Sequence, residues 1–258
     1  ALAITEPGGG SDVASLRTRA RREGGDWVID GEKVFITSGM RADFITVAVR
    51  TDPANKGAGG ISALLIEGDT PGLTRTKLDK MGWWASDTAH LRFDNCRVPV
   101  ANLIGEEHKG FKTFMTNFNG ERLGMAAQAV GYAQACFDEA LDWARQRHTF
   151  GQALVSHQVV RHKLADMKMR IDSVKAQLDI LCWRIAQKQL PVADVCLLKN
   201  LATSTLEYVA GEAVQILGGA GYLRGARVER IFRETKVLSI GGGASEVMKD
   251  LAAKQLGW

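Results

Sequence analysis

The segment that determines the fold runs from residue 117 to residue 152. It begins with NFNGERLGMAAQAVGY at 117–132 and ends with RQRHTFGQ at 145–152. Apolar residues recur in it every three or four positions, which predicts one face of a long α-helix: Leu123, Ala126, Val130, Ala133, Phe137, Leu141 and Ala144. Glu121 lies just ahead of this face. Taken by itself, Glu121 is best interpreted as a solvated helix glutamate.

Composition excludes several classes of protein. The 258 residues suffice for two modest domains, and the net charge of +4 is too small and dispersed to indicate a nucleic-acid or membrane surface. The cysteines lack CxxC spacing, and the histidines lack metal-ligand spacing, so we expect reduced cysteines and no metal site. No apolar run is long enough for a bilayer, and no signal peptide is visible. The chain begins with Ala1 rather than Met, which suggests an N-terminal part that is missing or not included.

Residues 1–105 carry the signals of strands and turns and predict a small antiparallel β-sandwich or barrel. Apolar, β-branched runs of strand length lie at 44–49 and 61–66, and looser alternation marks 73–77 and 90–93. The run from Trp27 to Ile36 predicts a β-hairpin, because Asp30-Gly31 is a favoured two-residue turn.

Residues 106–258 change to a helical period and predict a four-helix bundle. The helix that contains Glu121 is expected to stop near residues 149–151, and a second helix carries apolar residues from Val160 to Ile185. A third begins at Pro191, which suits a first helical turn, and the glycine run at 218–221 breaks it. A last short helix begins near Ser245. The predicted fold class is therefore α+β, with a β-domain at 1–105 and a helical bundle at 106–258.

Three glycine-containing stretches could bind a ligand, although each could equally be structural when taken alone. Residues 4–12 form a loop whose backbone N–H groups and Ser11 hydroxyl suit an anion. Residues 34–39 offer an aromatic ring and a hydroxyl on one strand face. Residues 240–246 form a turn at a helix start, where free N–H groups could polarise an oxygen.

Together and in this order, these stretches resemble the acyl-CoA dehydrogenase family over the whole chain. The resemblance is carried by Thr5-Glu6-Pro7-x-x-Gly10-Ser11-Asp12, Phe35-Ile36-Thr37-x-Gly39, Lys80-Met81-Gly82, Arg147-x-x-Phe150-Gly151, Ala165-Asp166-Met167 and Gln215-x-x-Gly218-Gly219-x-Gly221-Tyr222. The family has an N-terminal helical domain, a middle β-domain and a C-terminal four-helix bundle. This chain resembles the last two and lacks the first.

The resemblance implies FAD as the cofactor. Thr5, Phe35 and Thr37 would hold the isoalloxazine, Ser11 would meet the pyrophosphate, and Ile4, Gly10 and Ile36 belong to the same cofactor-binding loops. The adenosine diphosphate half of a neighbouring subunit's FAD would be reached by Arg147, Phe150, Gln158, Gln215 and Gly219. The resemblance therefore also implies a homo-oligomer, a dimer of dimers in most of the family.

The glycine turn departs from the commonest family pattern. Many members carry Tyr-Glu-Gly-Thr there, with that glutamate as catalytic base, whereas this chain has Gly241-Gly242-Gly243-Ala244. The isovaleryl-CoA and long-chain branch takes its base from a Glu-Arg-Leu motif on the first bundle helix, and residues 121–123 match that motif. The resemblance thus makes Glu121 the favoured base. It makes Glu246 a capping or cofactor contact.

The implied reaction is α,β-dehydrogenation of an acyl-CoA to the trans-2-enoyl-CoA. Glu121 would remove the α-proton, and the Gly242 N–H would polarise the thioester carbonyl. The acyl-CoA would also meet Ser11, Asn119, Arg122 and Gly243. A base on the helix beside a side-chain-free turn predicts tolerance of branched or long acyl groups, and an acid placed at Gly242 is expected to restore part of the activity lost with Glu121.

Electron-transfer flavoprotein is the implied electron acceptor, and the implied location is the cytoplasm of a bacterium or the mitochondrial matrix of a eukaryote. Two alternatives stay open. An acyl-CoA oxidase would use the same base and flavin with O₂ as acceptor, although the long C-terminal extension common in that group is lacking. A non-catalytic, DNA-associated or assembly role would keep the fold and flavin, but the dispersed charge and the Glu-Arg-Leu motif argue against it.

Overall fold

The computed structural model describes residues 1–55 and 57–258. They form two compact units, Ala1–Asn117 and Phe118–Trp258. The first unit is built around a sheet and the second around helices. The division falls within the first long helix, so the opening turns of that helix belong to the β-unit.

The β-unit contains β1 Leu2–Ala3, β2 Arg19–Glu23, β3 Asp26–Thr37, β4 Phe44–Arg50, β5 Ile61–Glu67, β6 Leu73–Lys77, β7 Thr88–Pro99 and β8 Leu103–Ile104. Their order in the sheet is β6-β7-β3-β2-β4-β5-β8, and β1 lies beside β4. Pairing is antiparallel except for β1 with β4 and β2 with β4, so the sheet is mixed rather than fully antiparallel. The strands predicted at 44–49, 61–66 and 73–77 are confirmed, and the strand predicted at 90–93 is part of β7.

The β-hairpin predicted between Trp27 and Ile36 is wrong. The run is one continuous twelve-residue strand, β3, whose register against β7 is irregular between Ile29 and Gly31. Gly31 has a φ of +143°, and a Cβ added there would lie 2.7 Å from the Cα of Thr18. Gly31 therefore permits the close approach of the backbone at Thr18 and does not form a two-residue turn.

The core of the β-unit lies between the buried side chains of its long strands. It includes Trp27, Ile29, Ile45, Val47, Leu64, Leu91 and Phe93. β4 buries four of its seven residues, which explains its nearly continuous apolar sequence in place of strict alternation.

The second unit continues α1 Gly110–Gln146, followed by β9 His148–Thr149, β10 Gln152–Ala153, α2 Gln158–Ala186, α3 Val192–Leu217, α4 Gly219–Tyr222, α5 Arg227–Ile240 and α6 Ser245–Leu256. The helices α2, α5 and α6 all contact α3, which is the most extensively buried of the four. The predicted helix with apolar residues from Val160 to Ile185 and the predicted helices that begin near Pro191 and Ser245 are confirmed. Within the described residues, no helix combines the length and apolarity needed to cross a bilayer.

The sequence interpretation overlooked α5. Its composition is dominated by charge, with arginine, lysine and glutamate between 227 and 236. The residues that α5 buries are nevertheless spaced for one helical face: Val228, Ile231, Thr235 and Leu238. This helix places its C-terminus immediately before the glycine turn, so α5 and α6 together position residues 241–244.

Candidate active site

The glycine turn at 241–244 is a tightly packed structure. Gly242 and Gly243 have φ values of +65° and +108°, a region that disfavours L side chains. A Cβ at Gly242 would lie 2.8 Å from the sulfur of Met125, and one at Gly243 would lie 2.4 Å from the terminal methyl of Met248. The missing side chains therefore leave no open space here, because two methionines occupy it.

Two cationic side chains hold consecutive carbonyls of this turn. Arg122 on α1 donates from Nε to the Gly242 oxygen at 3.0 Å, and Lys199 on α3 donates from Nζ to the Gly243 oxygen at 2.6 Å. Both side chains are buried. Arg122 also donates to the Asn119 Oδ1 at 3.3 Å. Arg122, predicted as an acyl-CoA contact, thus bonds to the turn, and Asn119, predicted as another, bonds to Arg122.

Glu121 lies on α1, the helix whose Arg122 and Met125 side chains meet this turn. It is exposed, whereas the next residue, Arg122, is buried. Met125 is one helical turn further along and meets the turn at Gly242. Because residues four apart on a helix are neighbours on one face, the Glu121 carboxylate shares the Met125 side of α1. The turn itself carries no acidic side chain between 241 and 244.

The charges under the turn perturb each other. Burial, reinforced by the Arg122 charge, lowers the pKa of Lys199 to about 8. Burial raises the pKa of the Cys196 thiol, and the charges of Arg122 and Lys199 oppose that rise. The region under the turn is therefore positively charged at neutral pH.

In the β-unit, the loop at residues 4–12 is fixed from within. Lys33, fully buried, donates to the Ile4 carbonyl and to the Glu6 carboxylate, both at 2.8 Å. Glu6 also accepts from the backbone N–H groups of Arg17 and Thr18. Burial acts to raise the pKa of Glu6, but the charge and hydrogen bond of Lys33 hold it below its ordinary value. The loop is thus anchored around an ionised, buried carboxylate.

The outer part of that loop is open. Ser11 and Gly10 are exposed, and Thr5 is half-buried, with its carbonyl accepting from the Val34 N–H at 2.9 Å. A Cβ at Gly10 would approach the Thr5 methyl at 3.4 Å, and one at Gly8 would meet nothing within 4 Å. The loop therefore offers a small hydroxyl-bearing cradle beside β3.

β3 presents an uncovered aromatic ring next to this cradle. Phe35 is 69% exposed and has a φ of +60°, unusual for a bulky residue, at an irregularity in the β3–β7 register. Ile36 is buried and Thr37 is exposed, so the ring and the hydroxyl lie on the open side, as predicted. Arg75 donates to the carbonyls of residues 39, 40, 42 and 68 and thereby fixes the segment that follows.

The second predicted cofactor group lies at helix ends. Phe150 is 97% exposed in a two-residue turn between β9 and β10, and its ring meets the His157 ring edge-on at 6.1 Å. Exposed Arg147 lies three residues before Phe150, and Gln158, the first residue of α2, directly follows His157. Gln215 and Gly219 are exposed near the end of α3 and the start of α4. Within the described residues, no hydrogen bond joins the two sets.

Glu246 lies in the first turn of α6, exposed, at a cavity of about 220 Å³ lined also by Glu207, Lys236, Ser239 and Ser245. Among the described residues, no cluster of His, Cys, Asp and Glu could hold a metal ion.

Sequence reasoning missed four cations that organise these loops: Lys33, Arg50, Arg75 and Lys199. Arg50 donates to the carbonyls of Ala14 and Leu16, just after the Ser11 loop. A signal existed for the two lysines, because each occupies a position that the apolar pattern of its strand or helix assigns to the core. A lysine there requires a specific acceptor.

Comparison with known proteins agrees with this architecture. The family model described as acyl-CoA dehydrogenase, middle domain, matches residues 1–96, and that described as acyl-CoA dehydrogenase, C-terminal domain, matches residues 108–257. The rat mitochondrial long-chain specific and short-chain specific acyl-CoA dehydrogenases are 40% and 39% identical, over 99% of this chain and 60% and 62% of their own lengths. The crystal structure of acyl-CoA dehydrogenase from Geobacillus kaustophilus is 39% identical, with a TM-score of 0.98 over 100% of this chain and 68% of that one.

The chain belongs to the acyl-CoA dehydrogenase family, of which it contains the middle β-domain and the C-terminal helical domain. The family consists of FAD-dependent oxidoreductases, and tetramers are typical of it. The chain spans about 60% of the length of the two rat enzymes. The predicted family and α+β fold class are confirmed.

The residues present fit FAD. An exposed phenyl ring at Phe35, an exposed hydroxyl at Thr37 and the glycine cradle at residues 8–10 provide a flat apolar contact, a hydrogen-bonding group and close backbone approach. These are the features that a ring system joined to a diphosphate requires.

Proposed function

We propose that the protein to which this chain belongs is an FAD-dependent acyl-CoA dehydrogenase in which Glu121 is the general base. One observation carries the proposal. Glu121 shares a helix face with Met125, which touches a glycine turn that has no acid of its own. This arrangement supports a carboxylate close to the turn, as removal of an α-proton beside a polarised carbonyl would require.

The chain's own residues account for the difficult part of the reaction. A thioester α-proton is too weakly acidic for a carboxylate in water, so the negative charge that develops on the carbonyl oxygen must be stabilised. The Gly242 N–H is the proposed donor to that oxygen. Arg122 and Lys199 hold the two carbonyls of residues 242 and 243, and their positive charges favour a developing anion nearby.

FAD, when bound, would accept the β-hydride. Thr5, Phe35, Thr37 and Ser11 would hold this group, with Ile4, Gly10 and Ile36 shaping the loops. Arg147, Phe150, Gln158, Gln215, Gly219 and Glu246 would contact the cofactor of a neighbouring subunit in a dimer of dimers. Electron-transfer flavoprotein is the proposed acceptor of the electrons.

The acyl group is proposed to be branched or long. The support for this proposal is the Met125 side chain, which occupies the space beside the glycine turn. A flexible thioether one helical turn from Glu121 can adapt to acyl chains of different shape. Similarity does not decide the length, since the long-chain and short-chain rat enzymes are nearly equally identical to this chain.

The test is an assay of the complete protein with a series of straight and branched acyl-CoA thioesters and an artificial electron acceptor. Dehydrogenation that persists without O₂ supports a dehydrogenase, whereas turnover that requires O₂ and yields H₂O₂ supports an oxidase. Bound FAD with no turnover on any thioester would contradict an enzymatic role.

A further inference from the structure

The most unusual residue of the helical unit is Lys199. Its side chain is fully buried in α3, yet its hydrogen-bond partner is the backbone carbonyl of Gly243 at 2.6 Å. Among the described residues, Lys199 forms no salt bridge, and the acidic residue whose charge acts on it is Glu246. A buried ammonium that has only a carbonyl acceptor is costly, and methionine would fill similar space without that cost.

A second cation increases the cost. Arg122, also buried, reaches the preceding carbonyl of the same turn, at Gly242. The two like charges repel, and together with burial this repulsion lowers the pKa of Lys199 to about 8. Holding the turn in place does not require two charges, because Asn200 already donates to the Ser245 carbonyl at 2.8 Å from the same helix. A concentration of positive charge is, however, what an anion-stabilising site requires.

We propose that Lys199 is a positioning residue for the dehydrogenation reaction, whose charged ammonium fixes the Gly243 carbonyl and so aims the adjoining Gly242 amide at the thioester oxygen. The inference rests on the proposed function. Within the described residues, the Gly242 N–H donates to no backbone carbonyl, so it can donate to a substrate oxygen instead. Lys199 acts through the turn and does not touch substrate.

The groups that face Lys199 define its pH dependence. They are Arg122 from α1, Cys196 from α3 itself and Glu246 from α6. The raised pKa of Cys196 keeps that thiol protonated near neutrality. Loss of the Lys199 proton therefore removes one of the two positive charges under the turn as pH rises through about 8.

The experiment uses the complete FAD-loaded protein and three variants. Lys199→Met removes the charge at similar volume, Lys199→Arg keeps a charge, and Leu206→Ala removes a buried apolar side chain of the same helix as a stability control. We expect Lys199→Met to lower kcat by about 10–100-fold, somewhat less than deletion of a direct oxyanion donor, with KM nearly unchanged. The alkaline limb of the kcat profile near pH 8 should disappear with it. Lys199→Arg should recover part of the loss, and Leu206→Ala should lose thermal stability but keep the wild-type profile.

A wild-type kcat and profile in Lys199→Met would overturn the inference, as would an equal fall in Leu206→Ala. A second readout does not depend on activity. Backbone amide exchange in the peptide that contains residues 241–245 should quicken in Lys199→Met and not in Leu206→Ala. If the wild-type protein dehydrogenates no thioester, the proposed function fails. Unchanged exchange would then separately reject the role of Lys199 in holding the turn.

Discussion

The Lys33 ammonium lies 2.8 Å from the Glu6 carboxylate, and both side chains are almost completely withdrawn from solvent. Lys33 also bonds the carbonyl of Ile4, so a single strand residue fixes the loop proposed to carry Thr5 and Ser11. A buried ion pair is weak evidence for net stability, and the geometric role of this one is that it holds the loop in position. The pair is the device by which β3 determines the shape of a loop more than twenty residues earlier.

Breaking that pair should be severe. Lys33→Met leaves the Glu6 carboxylate buried with only N–H donors, and we expect the free energy of unfolding to fall by about 3–5 kcal/mol. Glu6→Gln combined with Lys33→Met should cost less than the sum of the two single changes, because neither charge is then left alone. Urea unfolding of the four proteins at pH 7 measures this coupling. Additive losses would show that the two side chains act independently.

The buried lysine under the glycine turn gives a pH prediction with a definite sign. The pKa of Lys199 is about 8 in the folded protein against 10.5 for the ordinary side chain. Between these values the unfolded chain binds more protons, so this group's contribution to stability rises as pH increases from about 8 to about 10.5. The unfolding free energy of wild type minus that of Lys199→Met should therefore grow across this window, by about 3 kcal/mol. Activity is expected to fall over the same range, and a flat difference would contradict the perturbed pKa.

Phe35 offers a test of backbone strain at the proposed flavin contact. A non-glycine residue in the left-handed region costs roughly 1–2 kcal/mol, and the exposed ring gains little packing in return. We expect Phe35→Gly to be at least as stable as Phe35→Ala, in contrast to the usual destabilising effect of glycine in a strand. Both variants should bind FAD more weakly, as titration of the apoprotein by flavin fluorescence would show. Equal flavin affinity in all three proteins would exclude Phe35 from the site.

Arg147 tests the proposed cross-subunit contact. The guanidinium is exposed at the α1–α2 connection next to Phe150, and it suits a diphosphate because it is always charged. We expect Arg147→Ala to lose FAD and to shift the oligomer towards smaller species, as measured by flavin absorbance and by light scattering. Arg145→Ala is the matched control, an exposed arginine two residues earlier that faces Asp142 at 3.9 Å. The same loss in both variants would indicate a general charge effect.

Much of this architecture is predictable from the sequence wherever the spacing of apolar residues equals the repeat of the strand or helix that they form. The β4, β5 and β6 runs and the faces of α2 and α3 follow directly from apolar spacing. The failures have physical causes. Asp30-Gly31 has the sequence of a turn, but Gly31 instead permits the close approach of Thr18. The Thr18 hydroxyl donates to the carbonyl of Glu32, fourteen residues later in the chain.

The candidate site shows the same limit. Glu121 can be singled out from its motif, but its neighbourhood depends on a turn 120 residues later in the chain, as the Arg122–Gly242 bond shows. No local pattern predicts that Met125 fills the space beside Gly242, or that Lys199 donates a hydrogen bond to the Gly243 carbonyl. Such long-range contacts are set by the packing of α1, α3, α5 and α6. The sequence therefore indicates the proposed base better than the residues that support the turn.

Glu121→Gln is the direct test of the proposed base. The amide keeps the size of the side chain but cannot accept the α-proton, so reduction of bound flavin should slow by about 10²–10⁴-fold. FAD content and acyl-CoA binding should be unchanged, since neither depends on this charge. Asp142→Asn, which neutralises an exposed acid at the far end of the same helix, is the control. Single-turnover mixing separates proton removal from later electron transfer, and flavin reduction at the wild-type rate in Glu121→Gln would place the base elsewhere.

A base moved to the turn would complete that test, and the structure determines how it must be built. Gly242→Glu in the Glu121→Gln background places an acid on the turn, but the new Cβ meets the Met125 sulfur at 2.8 Å and the backbone is left-handed. The strain and overpacking cost about 1–3 kcal/mol each, so we expect little recovery from this change alone. Adding Met125→Ala removes the crowding and should raise the recovered rate further. The control is Gly242→Gln with the same Met125→Ala. It should recover no activity, because the glutamine has the shape of glutamate without the carboxylate. Equal rates for the glutamate and glutamine versions would mean that space, and not a base, limits the reaction at this turn.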